Sequence, residues 1–187
     1  TVVGIISAMK NRMNGLISWQ FSDQLWTNQT NTGGEFVNGF HMVGMMPSLL
    51  TSYIPKPQYY GVNLVTKYMS DGFGTSVIDT NYSAGNGLYI GATKLSDDNI
   101  TVVVANTSQS PQLFNINFSA AVNRKFYRLM FDPKTVNPTS EAKLAGSDNE
   151  KMVSNLIADS IPKGGILVYT TKQVGSLGED VDIDMDE

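Results

Sequence analysis

The chain of 187 residues contains no cysteine. That excludes disulfide frameworks, thiolate metal sites and cysteine nucleophiles together. Histidine occurs once, as His41, so a histidine-rich metal centre is excluded too, and neither a metal nor a cofactor is expected. No apolar run approaches the ~20 residues that span a bilayer as a helix, so no membrane span is expected. There is no basic block or stripe, and hence no sign of a nucleic-acid partner. Glutamate is scarce: Glu35, Glu141, Glu150, Glu179 and Glu187 are the full set. The start also lacks an initiator methionine and a charged segment leading into an apolar core. Thr1 runs straight into VVGIISAMKNRM, where Val2, Ile5, Ile6, Met9 and Met13 fall on one helical face with no convincing N-cap before Val2. That pattern reads as a chain cut inside an amphipathic helix, a fragment or one chain of a processed protein.

What is present bounds the rest. Apolar residues make up 41% of the chain, enough for a real core in one large or two small domains. The net charge of -4 comes from the end: residues 179–187 hold six of the 17 acids, which leaves 11 acids against 13 bases elsewhere. In this acidic stretch Asp180, Asp182, Asp184 and Asp186 alternate with Val181, Ile183 and Met185. In an extended chain the two sets face opposite ways. Residues 173–187 therefore read as an extended tail suited to adding a strand to a neighbouring chain, a route to self-assembly. A divalent cation is the competing reading, for which the aspartates supply only part of a coordination set.

The order of elements changes near residue 72. A helix is expected from Val2 to about Asn14, ending on Gly15. A short apolar strand follows at Leu16–Trp19, then a polar, glycine-rich loop from Thr27 to Gly44. A second helix starts at Pro57, a favoured first position, with Tyr60, Leu64 and Tyr68 four apart beside Val65 and Met69. One parallel strand cannot make a sheet, so this αβα rhythm implies further strands before Thr1. After SDGFGTS (70–76) the pattern becomes short strand-like runs divided by turns: Ser76–Thr80, Leu88–Thr93, Ile100–Ala105, Gln112–Phe118, Phe126–Phe131 and Gly165–Thr170. This is the pattern of an antiparallel sandwich or barrel.

GLISWQFSDQLW (15–26), NGFHMVGM (38–45), KPQYYGVNLVTKYM (56–69) and the closing IPKGGILVYTT (161–171) resemble the C-terminal part of a clan A glycoside hydrolase, in particular the β-xylosidase and α-iduronidase group, family 39. The resemblance implies α/β plus all-β architecture. Residues 1–72 would be the last segment of a (β/α)8 barrel (helix 7, strand 8, helix 8), residues 73–172 an antiparallel β-sandwich, and residues 173–187 the acidic tail.

Barrel active sites lie at the C-terminal ends of the strands. The resemblance thus makes Trp19, Gln20, Asp23, Trp26, Phe40 and His41 candidate substrate-binding residues. Trp19 would stack on a sugar ring, and Gln20 and Asp23 would bond its hydroxyls. For each a structural use competes: Trp19 as core, Asp23 as a turn cap, Trp26 and Phe40 as loop anchors, His41 as a loop residue. Retaining glycosidases need two carboxyl groups ~5–5.5 Å apart. The clan places them as glutamates on strands four and seven, and no glutamate here follows a barrel strand. No catalytic residue is therefore expected in this chain, and whether the chain serves an enzyme is left open.

Five Asn-x-Ser/Thr acceptors occur, at Asn28, Asn81, Asn99, Asn106 and Asn117. They read either as ordinary polar loop chemistry or as the sites of a glycoprotein that is secreted, on a cell surface or in a lysosome-like compartment. Three functions stay open. One is the C-terminal chain of a secreted glycoside hydrolase, held by the N-terminal segment of the same protein and acting on carbohydrate. The second is a non-catalytic assembly glycoprotein with that fold. The third is a carbohydrate-binding β-module using Tyr82, Tyr89, Phe126 and Tyr127 as an aromatic platform, though these residues equally fit a core.

Overall fold

The structure, a computed structural model, describes residues 2–13, 24–25, 36–37, 40–41, 57–70, 74–82, 84–134 and 149–174. Among the described residues two α-helices, α1 (Val2–Lys10) and α2 (Pro57–Met69), accompany eleven strands. Three of these are two-residue strands: β1 (Gln24–Leu25), just before the expected loop, and β2 (Phe36–Val37) and β3 (Phe40–His41) within it. They pair antiparallel in the order β1-β3-β2, so the loop after the expected barrel strand carries its own small sheet. The expected strand at 16–19 lies outside the described residues, as does the tail from residue 175.

The main sheet is antiparallel, in the order β4-β5-β6-β11-β8-β9. Its strands are β4 (Ser76–Ile78), β5 (Leu88–Lys94), β6 (Ile100–Asn106), β8 (Arg124–Phe131), β9 (Asn149–Val153) and β11 (Ile166–Thr170). β7 (Gln112–Asn117) and β10 (Leu156–Ile161) form a separate antiparallel ribbon. The six strands expected between residues 76 and 170 are present within a few residues of their expected bounds. β9 and β10 were not expected, because their sequences do not alternate cleanly. In LIADSI the inward positions are Ile157, Asp159 and Ile161, and the middle one is charged.

Strand alternation sends the sheet's side chains into two cores. On one face Val102, Val104, Phe126, Leu167 and Tyr169 meet Phe114, Ile157 and Ile161 of the ribbon. On the other, Val103, Ala105, Leu129, Phe131, Ile166 and Val168 meet Val2 and Ile6 of α1 and Leu64, Val65, Tyr68 and Met69 of α2. The layers are therefore helices, a six-stranded sheet and a two-stranded ribbon. The helices do not stand apart from the β-region, because its second apolar face needs a cover and they supply it.

Two glycines set that contact. A Cβ on Gly61 would lie 2.6 Å from Ile166 Cδ1, and one on Gly91 would lie 3.4 Å from Ile6. Their lack of side chains lets α2 and α1 sit close to the sheet. α1 ends at Lys10, five residues before Gly15. Arg12 N–H donates to Met9 O at 2.8 Å and Met13 N–H to Ala8 O at 2.9 Å, the paired bonds of a Schellman cap. Arg12 takes the left-handed position, with φ 54. The helix stops there because the N–H groups of Arg12 and Met13 satisfy the carbonyls of Met9 and Ala8 in its last turn.

Candidate functional site

A groove of about 520 Å³ opens between β9 and β10, where the chain crosses from the main sheet to the ribbon. Phe126, Val153 and Ile157 make it apolar at depth, and Arg128, Lys151, Asp159 and Tyr169 give it polar walls.

Asp159 organises this groove. Arg128 Nε donates to its Oδ2 at 2.6 Å, Tyr169 Oη donates to the same oxygen at 2.5 Å, and the Ser160 backbone N–H donates to Oδ1 at 2.7 Å. The three side chains come from β8, β10 and β11, so the cluster ties the ribbon to the sheet. The Arg128 and Asp159 side chains are 20% and 21% exposed. Burial opposes the charge on Asp159, but the hydrogen bonds from Arg128, Tyr169 and the backbone outweigh it, and the carboxyl is held below its usual range. Burial, then the hydrogen bond to Asp159, pushes the Tyr169 phenol well above its usual value. Arg128 loses some charge preference to burial and regains more from Asp159, so it stays protonated.

The second carboxylate at the groove, Glu150, is ion-paired to Lys125. A glycosidase general acid needs a carboxyl raised toward neutral pH. Asp159 is shifted the other way and bound by three donors. The groove can offer hydrogen bonds from fixed dipoles and charges to a polar ligand, but Asp159 cannot serve there as a proton donor.

The residues singled out in the sequence fall elsewhere. Trp19, Gln20, Asp23, Trp26 and Asn28 lie outside the described residues. Phe40 and His41 form the central strand of the small sheet, Phe40 between Leu25 and Val37 and His41 between Gln24 and Phe36. Among the acceptor asparagines, Asn81 and Asn117 are exposed and Asn99 is half-buried. Asn106 is 2% exposed. Its Nδ2 donates to the carbonyls of Ser110, Ile161 and Pro162 at 2.9, 3.3 and 3.0 Å, and its Oδ1 accepts from Ser108 N–H at 2.9 Å. In the folded chain this amide is a structural tie, the use that competes with its reading as a glycan acceptor.

The four aromatics of the proposed platform are also dispersed. Phe126 is core at 1% exposure, and Tyr89 packs against the helix-side core. Tyr82 lies under the Lys10 ammonium at 4.2 Å, and Tyr127 sits beside Lys125 at 5.3 Å. Phe126 and Tyr127 are neighbours on one strand, so alternation sends them to opposite faces. Arg128, Asp159 and Tyr169 escaped the sequence reading. The available signal was one cation and one anion on inward strand positions, visible only once both strands and their faces are known.

No protein-family model matches the chain, and no curated protein matches it. Solved structures do. One is a GH30 endoxylanase from Clostridium papyrosolvens, with a TM-score of 0.50 and 14% identity over 63% of this chain and 28% of that one. Another is a glycoside hydrolase family 30 subfamily 8 xylanase from Clostridium acetobutylicum, with a TM-score of 0.50 and 14% identity over 68% of this chain and 30% of that one. At this identity the likeness is one of fold. The architecture resembles part of the fold of these two glycoside hydrolases. The chain spans under a third of the length of these two enzymes.

Proposed function

We propose that this chain is the C-terminal portion of a secreted glycoside hydrolase-like protein, in which residues 1–72 complete a (β/α)8 barrel and the β-region serves as an accessory domain. The likeness in fold to the two xylanases carries the reading. In α1, Val2 and Ile6 are buried against the sheet with Val3, Ile5 and Met9 packed beside them. An N-terminal segment of the same protein would supply the remaining barrel elements. On this reading the acid and nucleophile lie in that segment. Strand eight is residues 15–20, and Trp19, Gln20 and Asp23 line the sugar site with Trp26, Phe40 and His41 in the loop that follows. Carbohydrate is the substrate class, and the acidic tail is an assembly arm.

The test uses the complete protein that contains this chain, assayed on a panel of polysaccharides and aryl glycosides as wild type and as Trp19→Ala. Hydrolysis by the wild type, with kcat/KM reduced at least tenfold in the variant and unfolding unchanged, is the expected result. Full activity per folded molecule, with a loss of ~3–5 kcal/mol in stability, would make Trp19 a core residue instead. Hydrolysis of nothing on the panel would leave a non-catalytic glycoprotein.

A further inference from the structure

We propose that Asn117 is an N-glycan acceptor and that its glycan covers the outer face of the β7–β10 ribbon; the inference rests on the secreted reading above. Alternation on β7 turns Phe114 into the core and Leu113, Asn115 and Asn117 outward. Asn117 is the last residue of the strand and is exposed, and Ser119, the hydroxyl residue of its Asn-Phe-Ser acceptor, is exposed as well. Among the described residues no hydrogen bond occupies its side-chain amide. Beyond it the chain is pinned by Phe118 N–H donating to Asn155 O at 2.9 Å, so the acceptor projects from a fixed base.

Asn106 and Asn99 are worse placed. Asn106 is consumed by its four hydrogen bonds. Asn99 donates to Asp97 Oδ2 at 2.8 Å and accepts from Thr171 Oγ1 at 2.7 Å. The hydroxyl its acceptor motif needs, that of Thr101, is fully buried and bonded to Tyr68 O at 2.7 Å.

The reaction needs a polyisoprenyl pyrophosphate-linked oligosaccharide as donor. Asn117 Nδ2 forms the bond to C1 of the first sugar, the bond from C1 to the pyrophosphate oxygen breaks, Nδ2 gives up one proton, and the lipid pyrophosphate leaves. The ribbon's outer face gives the glycan something to cover. Asn117 is paired across the ribbon with Leu156, which is 44% exposed. Leu113, 84% exposed, lies four residues back along the strand, ~13 Å away.

The full chain is produced through a yeast or insect-cell secretory pathway and its glycopeptides are mapped, from the intracellular pool if it is retained. The expected result is a glycan on Asn117 and none on Asn106 in folded protein. Ser119→Ala, which keeps Asn117 but removes the acceptor, should lose one glycan in mass and self-associate at lower concentration in sedimentation. A bare Asn117, whether or not other acceptors are filled, or a glycan on Asn106 of folded chain overturns the assignment. Unchanged self-association of Ser119→Ala overturns the covering role. Occupancy is read without any hydrolysis, so an inactive protein glycosylated at Asn117 would refute the enzymatic reading and leave this one standing.

Discussion

Asp159 and Asn106 hold the molecule together by opposite means, one with charge and one without. Asp159 keeps its proton off in the folded state at a pH where an unfolded aspartate would begin to bind one. Its stabilising contribution is therefore complete above the unfolded value of ~3.9 and fades as pH falls through the lower folded value. Asp159→Asn should cost about 2 kcal/mol at neutral pH, by weakening charge-assisted hydrogen bonds. It should also flatten the loss of stability below pH ~4 that wild type shows in acid titrations followed by thermal unfolding. An acid limb as steep as wild type's would show that other carboxylates carry it. Asn106 makes a sharper chemical case. Asn106→Ala leaves the carbonyls around it without a donor, at a cost of ~2–3 kcal/mol. Asn106→Asp sets a carboxylate against those same carbonyls and should be worse than alanine in urea denaturation, although it is the closer isostere.

The helices matter as elements because they are half of a core. Val103, Ala105, Leu129, Phe131, Ile166 and Val168 are covered by them, so a β-region expressed without residues 1–70 would present an apolar sheet face to water and aggregate. The closest point of α2 gives a gentler test. Gly61→Leu would gain helix propensity, but its side chain would meet Ile166 and Phe131. Overpacking of this kind costs ~1–3 kcal/mol, and the midpoint of urea unfolding should fall. Gly61→Ala should fall less, because the atom nearest its Cβ is the movable end of Ile166. If Gly61→Leu is neutral, α2 does not lie this close to β11.

At the scale of the whole molecule the charge is divided: a nearly neutral body and an end carrying six acids. Deleting residues 179–187 changes the formal charge from -4 to +2. If that end is an assembly arm, the truncated chain should keep its melting temperature and lose self-association in sedimentation. Loss of association on chelation of divalent ions alone would instead assign the aspartates to a cation. The fold likeness extends over about two thirds of this chain but under a third of the xylanases.

The sequence by itself determined the two helices and six of the strands, because each announces itself locally: Pro57 starts α2, four-residue spacing marks its buried stripe, and turn clusters divide the β-runs. It also bounded the chemistry, since no cysteine and one histidine leave few sites to imagine. Only the tertiary structure decided the rest. β9 and β10 lack clean alternation, because Asp159 occupies an inward position that an apolar residue would normally take. That position is tolerable only when Arg128 and Tyr169, about 31 and 10 residues away in the chain, arrive from two other strands. The identical Asn-x-Ser/Thr spelling of Asn106 and Asn117 likewise says nothing of their fates. The carbonyls of Ile161 and Pro162, distant in the chain, join that of nearby Ser110 on Asn106, whereas Asn117 faces outward, and a convergence that needs the distant pair is a property of the folded chain, not of the local stretch alone.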